Sequence, residues 1–509
     1  MMSDWLAVAV VSVVLAPLFA SPLAVIVGNR NLAFAICWLA TGISLAASLL
    51  LLAAVRDGTV LSYAMGGWAP PIGIEYRVDA ANAFVLVIVS ALAAVIMPFS
   101  RESIRKEIPE RHHTLFYACL MLCLTGLLGV TITGDAFNVF VFLEISSLAT
   151  YTLVAMGAKR DKRALSAAYD YLILGTIGAT FFVIGIGMIF QATGTLNITD
   201  LAQKLNGMQD NRTVQSGLAF IVIGMGLKIA IFPLHRWLPG AYAFAPSSIS
   251  AFLAGTSTKV AIYVLLRFLF SVYSTNFIFE INTLEYIIMP LAMLGMFVGS
   301  AIAIYQANLK RLLAFSSVAQ VGYMLLGISL ITIDGVTATM AHMFNHAITK
   351  GALFLAVGAI IYRIGSPLVR DMAGIGKQMP WTCAAIVIGG LSLIGVPGTA
   401  GFISKFQLLF AAFEKGWWLV SMLIVASSLL AIIYVWRTVE TLYLKPIPAG
   451  RTTQEAPLSL LLPTWVLVIA TIYFGIFPND VLSISESAAR SLLEGGYLGD
   501  ATIIGEIGR

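Results

Sequence analysis

The sequence predicts an all-α polytopic membrane protein with about 14 transmembrane helices. Hydrophobic residues fill 59% of its 509 positions and charged residues only 11%, which leaves too little polar surface for a soluble globule of this size. The apolar residues also form long runs of membrane-spanning length between short polar loops. The net charge of +5 does not indicate nucleic-acid binding, because the basic residues lie in those loops, where they set orientation.

The predicted spans follow the apolar runs in chain order. They lie near residues 4–28, 32–55, 78–99, 114–133, 136–157, 166–191, 216–238, 247–273, 284–305, 312–331, 337–362, 381–413, 417–443 and 460–478. No basic segment and no small-residue cleavage site accompanies the first run, so we expect a retained span and not a signal peptide.

Two of these spans contain signals for a broken helix. Pro233 in the seventh span and Pro397 in the string GVPGTAG of the twelfth lack a backbone donor and clash with the preceding turn. The twelfth run is also longer than one crossing requires. Lipid cannot satisfy the backbone groups that a break exposes, so these breaks indicate a hydrated path.

The lysines and arginines of the loops fall mainly on one side of the predicted membrane, with the largest groups at 101–111 and 159–163. The positive-inside rule places that side in the cytoplasm and both termini outside. An even number of spans agrees with this orientation, since it puts both ends on one side.

Hydropathy suggests an internal repeat without establishing it. Spans 4 to 8 and spans 9 to 13 each include one broken helix, yet simple counting offsets the two breaks by one span. Units of five spans would have opposite topologies, an arrangement typical of transporters with ion sites at the repeat interface.

Three charged residues lie at membrane depth within the first eight predicted spans. Lys228 precedes Pro233, Lys259 opens the apolar run KVAIYVLLRFLF, and Glu144 lies in the middle of the fifth span. A lysine at the bilayer centre costs about 2.5 to 3.5 kcal/mol on insertion scales, so such residues are usually functional. We interpret Glu144 as the ion-pair partner of Lys228 and as a proton acceptor. The alternative is a glutamate that accepts only local hydrogen bonds near a helix end.

The string HMFNHAITKGALFL contains His342, His346 and Lys350 at positions i, i+4 and i+8. These positions share one face of a helix over about two turns. Histidine exchanges protons near neutral pH and lysine does so when desolvated, which favours a proton wire. The alternatives are a hydrogen-bonded core pair and a metal site. No nearby carboxylate or cysteine completes a metal coordination shell, so we predict no metal.

Two further residues follow the predicted helix breaks. Lys405 comes after Pro397, where a lysine that snorkels to the membrane surface is the alternative to a relay member. His235 comes after Pro233, toward the cytoplasmic end of the seventh span, and is included as a candidate relay member.

The four cysteines do not indicate a cofactor. They lie in apolar runs without a CxxC pair or a Cys/His cluster, which favours small buried hydrophobes over iron–sulfur or zinc ligands. The four are Cys37, Cys119, Cys123 and Cys383. With no nucleotide-binding fingerprint either, we predict neither a cofactor nor catalytic residues in this chain.

Three strings of the sequence resemble a known family of membrane subunits. They are GLKIAIFPLHRWLPGAYAFAPSSISAFLAGTSTK, HMFNHAITKGALFL and LIGVPGTAGFISKF. They are similar to the proton-translocating antiporter-like subunits of complex I, membrane-bound hydrogenases and Mrp-type multisubunit cation/proton antiporters. The resemblance is greatest to the D subunit of the Mrp antiporters.

The resemblance implies two inverted five-helix repeats with broken helices 7 and 12. On this basis we expect helices 1–3 in residues 1–112, repeat one with helices 4–8 in 113–275, repeat two with helices 9–13 in 276–445, and helix 14 with a C-terminal tail in 446–509.

The resemblance also assigns roles to matching residues. Glu144 matches the family's glutamate in the fifth span, and Lys228 and Lys259 match its lysines in the seventh and eighth spans. His346 and Lys350 match the relay of its eleventh span, and Lys405 matches the lysine of its twelfth. It thus implies a lateral proton path through the middle of the membrane, gated by the glutamate–lysine pair.

Two functions remain open at this point. The first is a subunit of a multisubunit antiporter that exchanges Na⁺ or another monovalent cation for protons across a prokaryotic cell membrane. The second is a proton-pumping subunit of a redox-driven complex, such as complex I or a membrane-bound hydrogenase. Both imply partner membrane subunits, and both place any driving chemistry outside this chain.

Overall fold

The computed structural model describes residues 2–274, 277–448 and 452–504 of the chain. Within these ranges, 12 helices are long and apolar enough to cross a membrane. Two further crossings are built from pairs of shorter helices, at the positions predicted for the seventh and twelfth spans. The prediction of a polytopic helical membrane protein is therefore confirmed.

The first half of the chain contains eleven numbered helices, most of which cross the bilayer thickness singly. They are α1 (Met2–Ile26), α2 (Arg30–Val55), α3 (Ala80–Glu107), α4 (His113–Ile132), α5 (Ala136–Ala155), α6 (Arg163–Thr193), α7 (Ile198–Leu205), α8 (Arg212–Ile229), α9 (Trp237–Phe244), α10 (Ser247–Gly255) and α11 (Ser257–Leu266). A π-helical segment, Arg267–Tyr273, continues α11.

The second half continues the same architecture. Its helices are α12 (Ile278–Thr283), α13 (Met289–Ile304), α14 (Leu309–Ser329), α15 (Ile333–Ile364), α16 (Pro380–Ile394), α17 (Ala400–Glu414), α18 (Trp418–Tyr443), α19 (Leu458–Ile476) and α20 (Asn479–Leu493). A π-helical segment, Leu284–Ile288, joins α12 to α13.

Side-chain caps mark where several of the long helices begin. Asp79 and Asn82 form a reciprocal capping box at the start of α3. Asn29, Asn308 and Thr332 accept hydrogen bonds from the first backbone N–H groups of α2, α14 and α15. These residues satisfy donors that a helix start leaves free, which fixes the ends of the crossings.

The seventh and twelfth crossings are broken, as predicted. Helix α8 ends at Ile229 and is followed by Ala230 in the left-handed region (φ 64), with Pro233 in the connection to α9. Helix α16 ends at Ile394, and the positive φ angles of Gly395 (91°) and Gly398 (86°) turn the chain around Pro397 before α17. Glycine takes such angles without strain, so the GVPGTAG string accounts for this break.

The eighth crossing is also interrupted, which the sequence analysis did not predict. Helix α10 ends at Gly255 and α11 starts at Ser257, with Thr256 between them at φ −119. The Thr256 hydroxyl donates to the Phe252 carbonyl at 2.7 Å. A threonine hydroxyl that bonds the backbone one turn earlier competes with the helical ladder and favours a bend.

A small sheet packs at the predicted outer side and is an addition to the all-α prediction. Strands β1 (Leu61–Ala64) and β2 (Glu75–Val78) form an antiparallel hairpin, and β3 (Thr502–Ile503) pairs in parallel with β1. Strands β1 and β2 lie in the loop between α2 and α3, and β3 lies in the segment after α20. The search for long apolar runs does not detect such short strands. The sheet ties the C-terminal segment to the first long loop.

The centre of the bundle consists of α10, α11, α14 and α15. Every residue of α14 except Arg311 is buried, and so is most of α15, whereas α1, α2 and α18 leave more than half of their residues at least partly exposed. Most polar and charged side chains of the central helices are consequently sealed from lipid. The candidate functional residues lie in this core and at one of its edges.

Candidate functional site

The structure brings Lys228 and Glu144 together. Lys228 lies in the last turn of α8, and its Nζ atom is 3.6 Å from Oε1 of Glu144 on α5. The same Nζ atom donates a hydrogen bond to the Ser147 hydroxyl at 2.7 Å. The lysine side chain is 6% exposed and the glutamate 24%, so the pair reaches from the interior to an outer face of the bundle.

The end of α8 is held by an aromatic cluster. The indole N–H of Trp237 donates to the Leu227 carbonyl at 2.8 Å, which satisfies an acceptor that the helix break leaves free. The indole ring stacks on Tyr171 with centroids 4.0 Å apart, and Tyr171 packs edge-on against Tyr151 at 4.9 Å. Rigid rings thus fix the position of the backbone that carries Lys228.

Lys259 is fully buried at the interruption of the eighth crossing. Its Nζ atom donates to the carbonyl of Ala254, in the last turn of α10, and lies 3.4 Å from the Thr258 hydroxyl. Among the residues that the structure describes, no carboxylate pairs with it. The lysine therefore relies on backbone and hydroxyl oxygens.

The two histidines of α15 share a face, and their surroundings differ. Their rings stack with centroids 6.1 Å apart. His342 is bonded at both ring nitrogens, through Nδ1 to the Ser404 hydroxyl at 2.8 Å and through Nε2 to Gln320 Oε1 at 2.9 Å. Both ring nitrogens of His346 are buried and have no hydrogen-bond partner among the described residues.

Lys350 follows on the same helix and is fully buried. Its ammonium donates to the Leu313 carbonyl at 2.8 Å and to the Ser316 hydroxyl, both on α14. Lys350 is therefore hydrogen-bonded to α14, whereas the ring nitrogens of His346 have no partner among the described residues.

Lys405 lies at the break of the twelfth crossing. Its Nζ atom donates to the carbonyls of Leu393 at 2.7 Å and Ile394 at 3.3 Å, which end α16. The ammonium also lies 4.6 Å from the centre of the Tyr323 ring, which in turn is 5.9 Å from the His342 ring. Contacts therefore run continuously from Lys405 to His346. The lysine is 6% exposed, which does not fit a lysine that snorkels to the membrane surface.

His235 lies in the connection between α8 and α9. Its ring packs against Phe232 and Phe315, with centroid separations of 5.4 and 6.1 Å. Its Nδ1 atom has no partner among the described side chains and backbone groups. The ring contacts of His235 are thus with aromatic side chains, and no hydrogen bond or ring contact among the described residues joins it to Lys228 or to the histidines of α15.

Hydrogen bonds do not join Lys228, Lys259 and the histidines of α15 into one continuous chain. Among the described residues, none connects Lys228 to Lys259 or Lys259 to His346. Proton transfer across these two gaps requires water or side-chain movement. The site therefore contains titratable side chains that can take up and release protons. Most of them have a hydrogen-bond acceptor nearby.

Several polar residues of the site were missed by sequence reasoning. Ser147, Gln320 and Ser404 contact the predicted relay residues from other helices, and isolated serines and glutamines in apolar runs give no distinctive signal. In the sequence, Lys310 has the position of a basic loop residue. It is fully buried instead, and donates to the Ala245 carbonyl at 2.8 Å, at the end of α9.

Glu107 was also missed, and like Lys310 it contacts the junction between α9 and α10. Its carboxylate accepts a hydrogen bond from the backbone N–H of Ser247 at 2.7 Å, which caps the start of α10. Within the described ranges, no group of three or more His, Cys, Asp or Glu side chains is arranged to hold a metal ion. All four cysteines are buried free thiols.

Comparison with known sequences gives a family. Residues 133–431 match the family model described as NADH:quinone oxidoreductase/Mrp antiporter, transmembrane. The chain is 39% identical over 434 residues to the N subunit of NADH-quinone oxidoreductase from Desulforudis audaxviator, covering 83% of this chain and 85% of that one. It is 30% identical over 433 residues to the D subunit of a Na⁺/H⁺ antiporter from Alkalihalophilus pseudofirmus, covering 84% and 86%.

Solved structures agree in fold. A chain of the Mrp complex from Dietzia superposes with a TM-score of 0.87 at 25% identity, covering 97% of this chain and 100% of that chain. A chain of an archaeal membrane-bound sulfane sulfur reductase gives the same TM-score at 28% identity, covering 97% and 99%. With a family model that matches more than half of its length and a relative 39% identical over most of both sequences, the chain belongs to the NADH:quinone oxidoreductase/Mrp antiporter family of membrane subunits.

Proposed function

We infer that this chain is the proton-conducting membrane subunit of a multisubunit Na⁺/proton antiporter. The observation that carries the proposal is that three buried lysines lie at the C-terminal ends of interrupted helices. Lys228 is in the last turn of α8, and Lys259 and Lys405 donate to the last carbonyls of α10 and α16. A helix C-terminus carries partial negative charge, so it stabilises an ammonium group without a permanent counter-ion. A lysine that carries protons must be stable in both its charged and its neutral form, and this partial charge helps to stabilise the charged form.

In the proposed path, the Glu144–Lys228 pair is the gate at one end. Protons pass from Lys228 to Lys259, then by His346 and His342 to Lys405 at the other end, with Lys350 beside His346 on α15. The contacts from His346 to Lys405 through His342 and Tyr323 support the second half of this path. The free ring nitrogens of His346 support a role in accepting a proton from Lys259, through water.

Glu144 also supports the proposal of partner subunits. It shares one face of α5 with Phe137, Val141 and Leu148, whose side chains are exposed apolar groups. A partly exposed carboxylate in a stripe that faces lipid is costly. Another membrane subunit of the complex, placed against this stripe, would cover it. The solved relatives named above are chains of membrane complexes.

Na⁺ antiport and redox-driven pumping each have support among the relatives of this chain. The 39% identity to a quinone oxidoreductase subunit favours the second candidate, a proton-pumping subunit of a redox-driven complex. The similarity to the D subunits of antiporters supports the first. In either case we place the chain in a prokaryotic cell membrane with both termini outside, and the two inverted repeats, 113–275 and 276–445, remain a prediction.

The test uses inverted membrane vesicles that contain the complete complex. A pH gradient is imposed, Na⁺ is added, and collapse of the gradient is followed with a fluorescent dye for wild type, Glu144→Ala and Lys228→Ala. Lys204→Ala is the matched control, because Lys204 lies on the short helix α7 and pairs with Asp200 at the surface.

The proposal expects Na⁺ to collapse the gradient in wild type and in the Lys204→Ala control. It expects each of the two gate variants to lose most of that response. Proton movement that requires an electron donor and ignores Na⁺ would support the redox-driven candidate instead. Wild-type exchange in both gate variants would contradict the path itself.

A further inference from the structure

We propose that Ser147 is a positioning residue that holds Lys228 off Glu144 and thereby sets how readily the gate opens. The inference rests on the proposed function of the Glu144–Lys228 pair. It adds a second hydrogen-bonded position for the Lys228 ammonium, on Ser147, which no feature of the sequence pattern indicates.

The distances place the lysine nearer to the hydroxyl than to the carboxylate. The Nζ atom of Lys228 is 2.7 Å from the Ser147 Oγ atom and 3.6 Å from Glu144 Oε1. The first distance is a good hydrogen bond and the second is too long for one. Glu144 Oε1 is itself buried and accepts no hydrogen bond from the described residues. The ammonium thus bonds a neutral group although a carboxylate is within reach.

The helix geometry makes this competition specific to Ser147. Glu144 and Ser147 lie at i and i+3, one turn apart on α5, and the Lys228 side chain from α8 reaches both. The neighbouring Ser146 is turned away, because its hydroxyl donates to the Leu143 carbonyl of its own helix at 2.9 Å. Ser146 and Ser147 are both buried, at 6% and 4% exposure, so Ser146 offers a matched control of the same type and depth.

Removing the Ser147 hydroxyl should tighten the gate. Without it, the ammonium has only the carboxylate as an acceptor in this place and closes on it by roughly 1 Å. A change of that size in an ion pair inside protein shifts an equilibrium on the order of tenfold. The closed pair then opens less often, and each transport cycle slows, because the lysine must leave the carboxylate to pass its proton on.

The experiment measures Na⁺-driven exchange in vesicles that contain the whole complex. The chain variants are Ser147→Ala, Ser147→Thr, Ser146→Ala and Lys228→Ala. We expect Ser147→Ala to be about fivefold to tenfold slower than wild type, because the ion pair is tighter. We expect Ser147→Thr, which keeps the hydroxyl, to return most of the rate, and Ser146→Ala to match wild type. If Ser147→Ala does not assemble, Ser147→Cys replaces it, since a thiol is a much weaker acceptor.

The outcomes separate this inference from the proposed function. If Lys228→Ala is inactive while Ser147→Ala exchanges at the wild-type rate, the gate stands and the role of Ser147 is wrong. If Ser147→Thr is as slow as Ser147→Ala, packing and not the hydroxyl explains the effect, which also overturns the inference. If Lys228→Ala exchanges normally, the proposed function itself fails.

Discussion

Gly224 of α8 and Gly178 of α6 put the backbones of their two helices in direct contact. A Cβ atom at Gly224 would lie 2.6 Å from the Gly178 carbonyl oxygen and 2.7 Å from the Phe182 backbone nitrogen. Small residues at such positions let helices approach closely in membranes. Lys228 follows Gly224 by four residues, on the same face, so this approach sets how far the lysine projects toward α5.

A methyl group at Gly224 should therefore push α8 away from α6. Because backbone atoms block the new Cβ, Gly224→Ala is expected to cost about 1 to 3 kcal/mol of stability and to lower exchange. Thermal unfolding of the purified complex and vesicle exchange measure the two effects.

The matched control for this substitution is Gly187→Ala, on α6. A Cβ atom at Gly187 would meet nothing within 4 Å, so this variant should be neutral or slightly more stable. Equal behaviour of the two variants would show that the helix contact is not needed.

The two histidines of α15 should respond differently to removal. His342→Ala leaves Ser404 and Gln320 without their shared partner, so it should lower both stability and exchange. His346→Ala leaves a cavity but breaks no hydrogen bond among the described residues, so it should lower the melting temperature less than His342→Ala does, while exchange falls. A normal exchange rate in folded His346→Ala would remove this residue from the path.

The buried ion pair at the outer side should matter for stability. Arg267 donates to Asp79 at 2.8 Å, and its guanidinium lies 3.8 Å from the centre of the Tyr497 ring in the C-terminal segment. Arg267→Met leaves Asp79 buried without its partner and should cost about 3 to 5 kcal/mol. We expect limited proteolysis to cleave the C-terminal segment more readily in this variant.

Arg490→Met is the control for that experiment. Arg490 of α20 pairs with Glu486 of the same helix and with Glu494, just past its end, and all three side chains are about half exposed. Exposed pairs contribute little, so we expect proteolysis at the wild-type rate. Protection of the C-terminal segment in Arg267→Met would show that this ion pair is not needed to hold it.

The sequence predicted those features that depend on local chemistry. Proline and glycine act within a few residues of their own positions, so Pro233 and the GVPGTAG string located both predicted breaks. The spacing of His342 and His346 likewise fixes a shared face for any helix that carries them. Composition was sufficient for the fold class.

Features that depend on distant partners could not be predicted in this way. Nothing near Lys310 in the sequence says that its ammonium reaches Ala245, 65 positions away, or that it is sealed from solvent. The bond from Lys228 to Ser147 joins residues 81 positions apart. The pairing of β3 with β1 spans most of the chain and has no periodicity to reveal it. The interruption at Thr256 has a local cause, but a single threonine in an apolar run is usually compatible with a continuous helix.

In the proposed function, Glu144 and Lys228 act as one gate for protons. The most direct measurement is a double-mutant cycle of Na⁺-driven proton exchange with Glu144→Gln, Lys228→Met and the two combined, all in the complete complex. If the pair acts as a unit, each single change slows exchange at least about tenfold and the double variant is no slower than the worse single one. Effects that multiply in the double variant, or full exchange in either single variant, would contradict the gate.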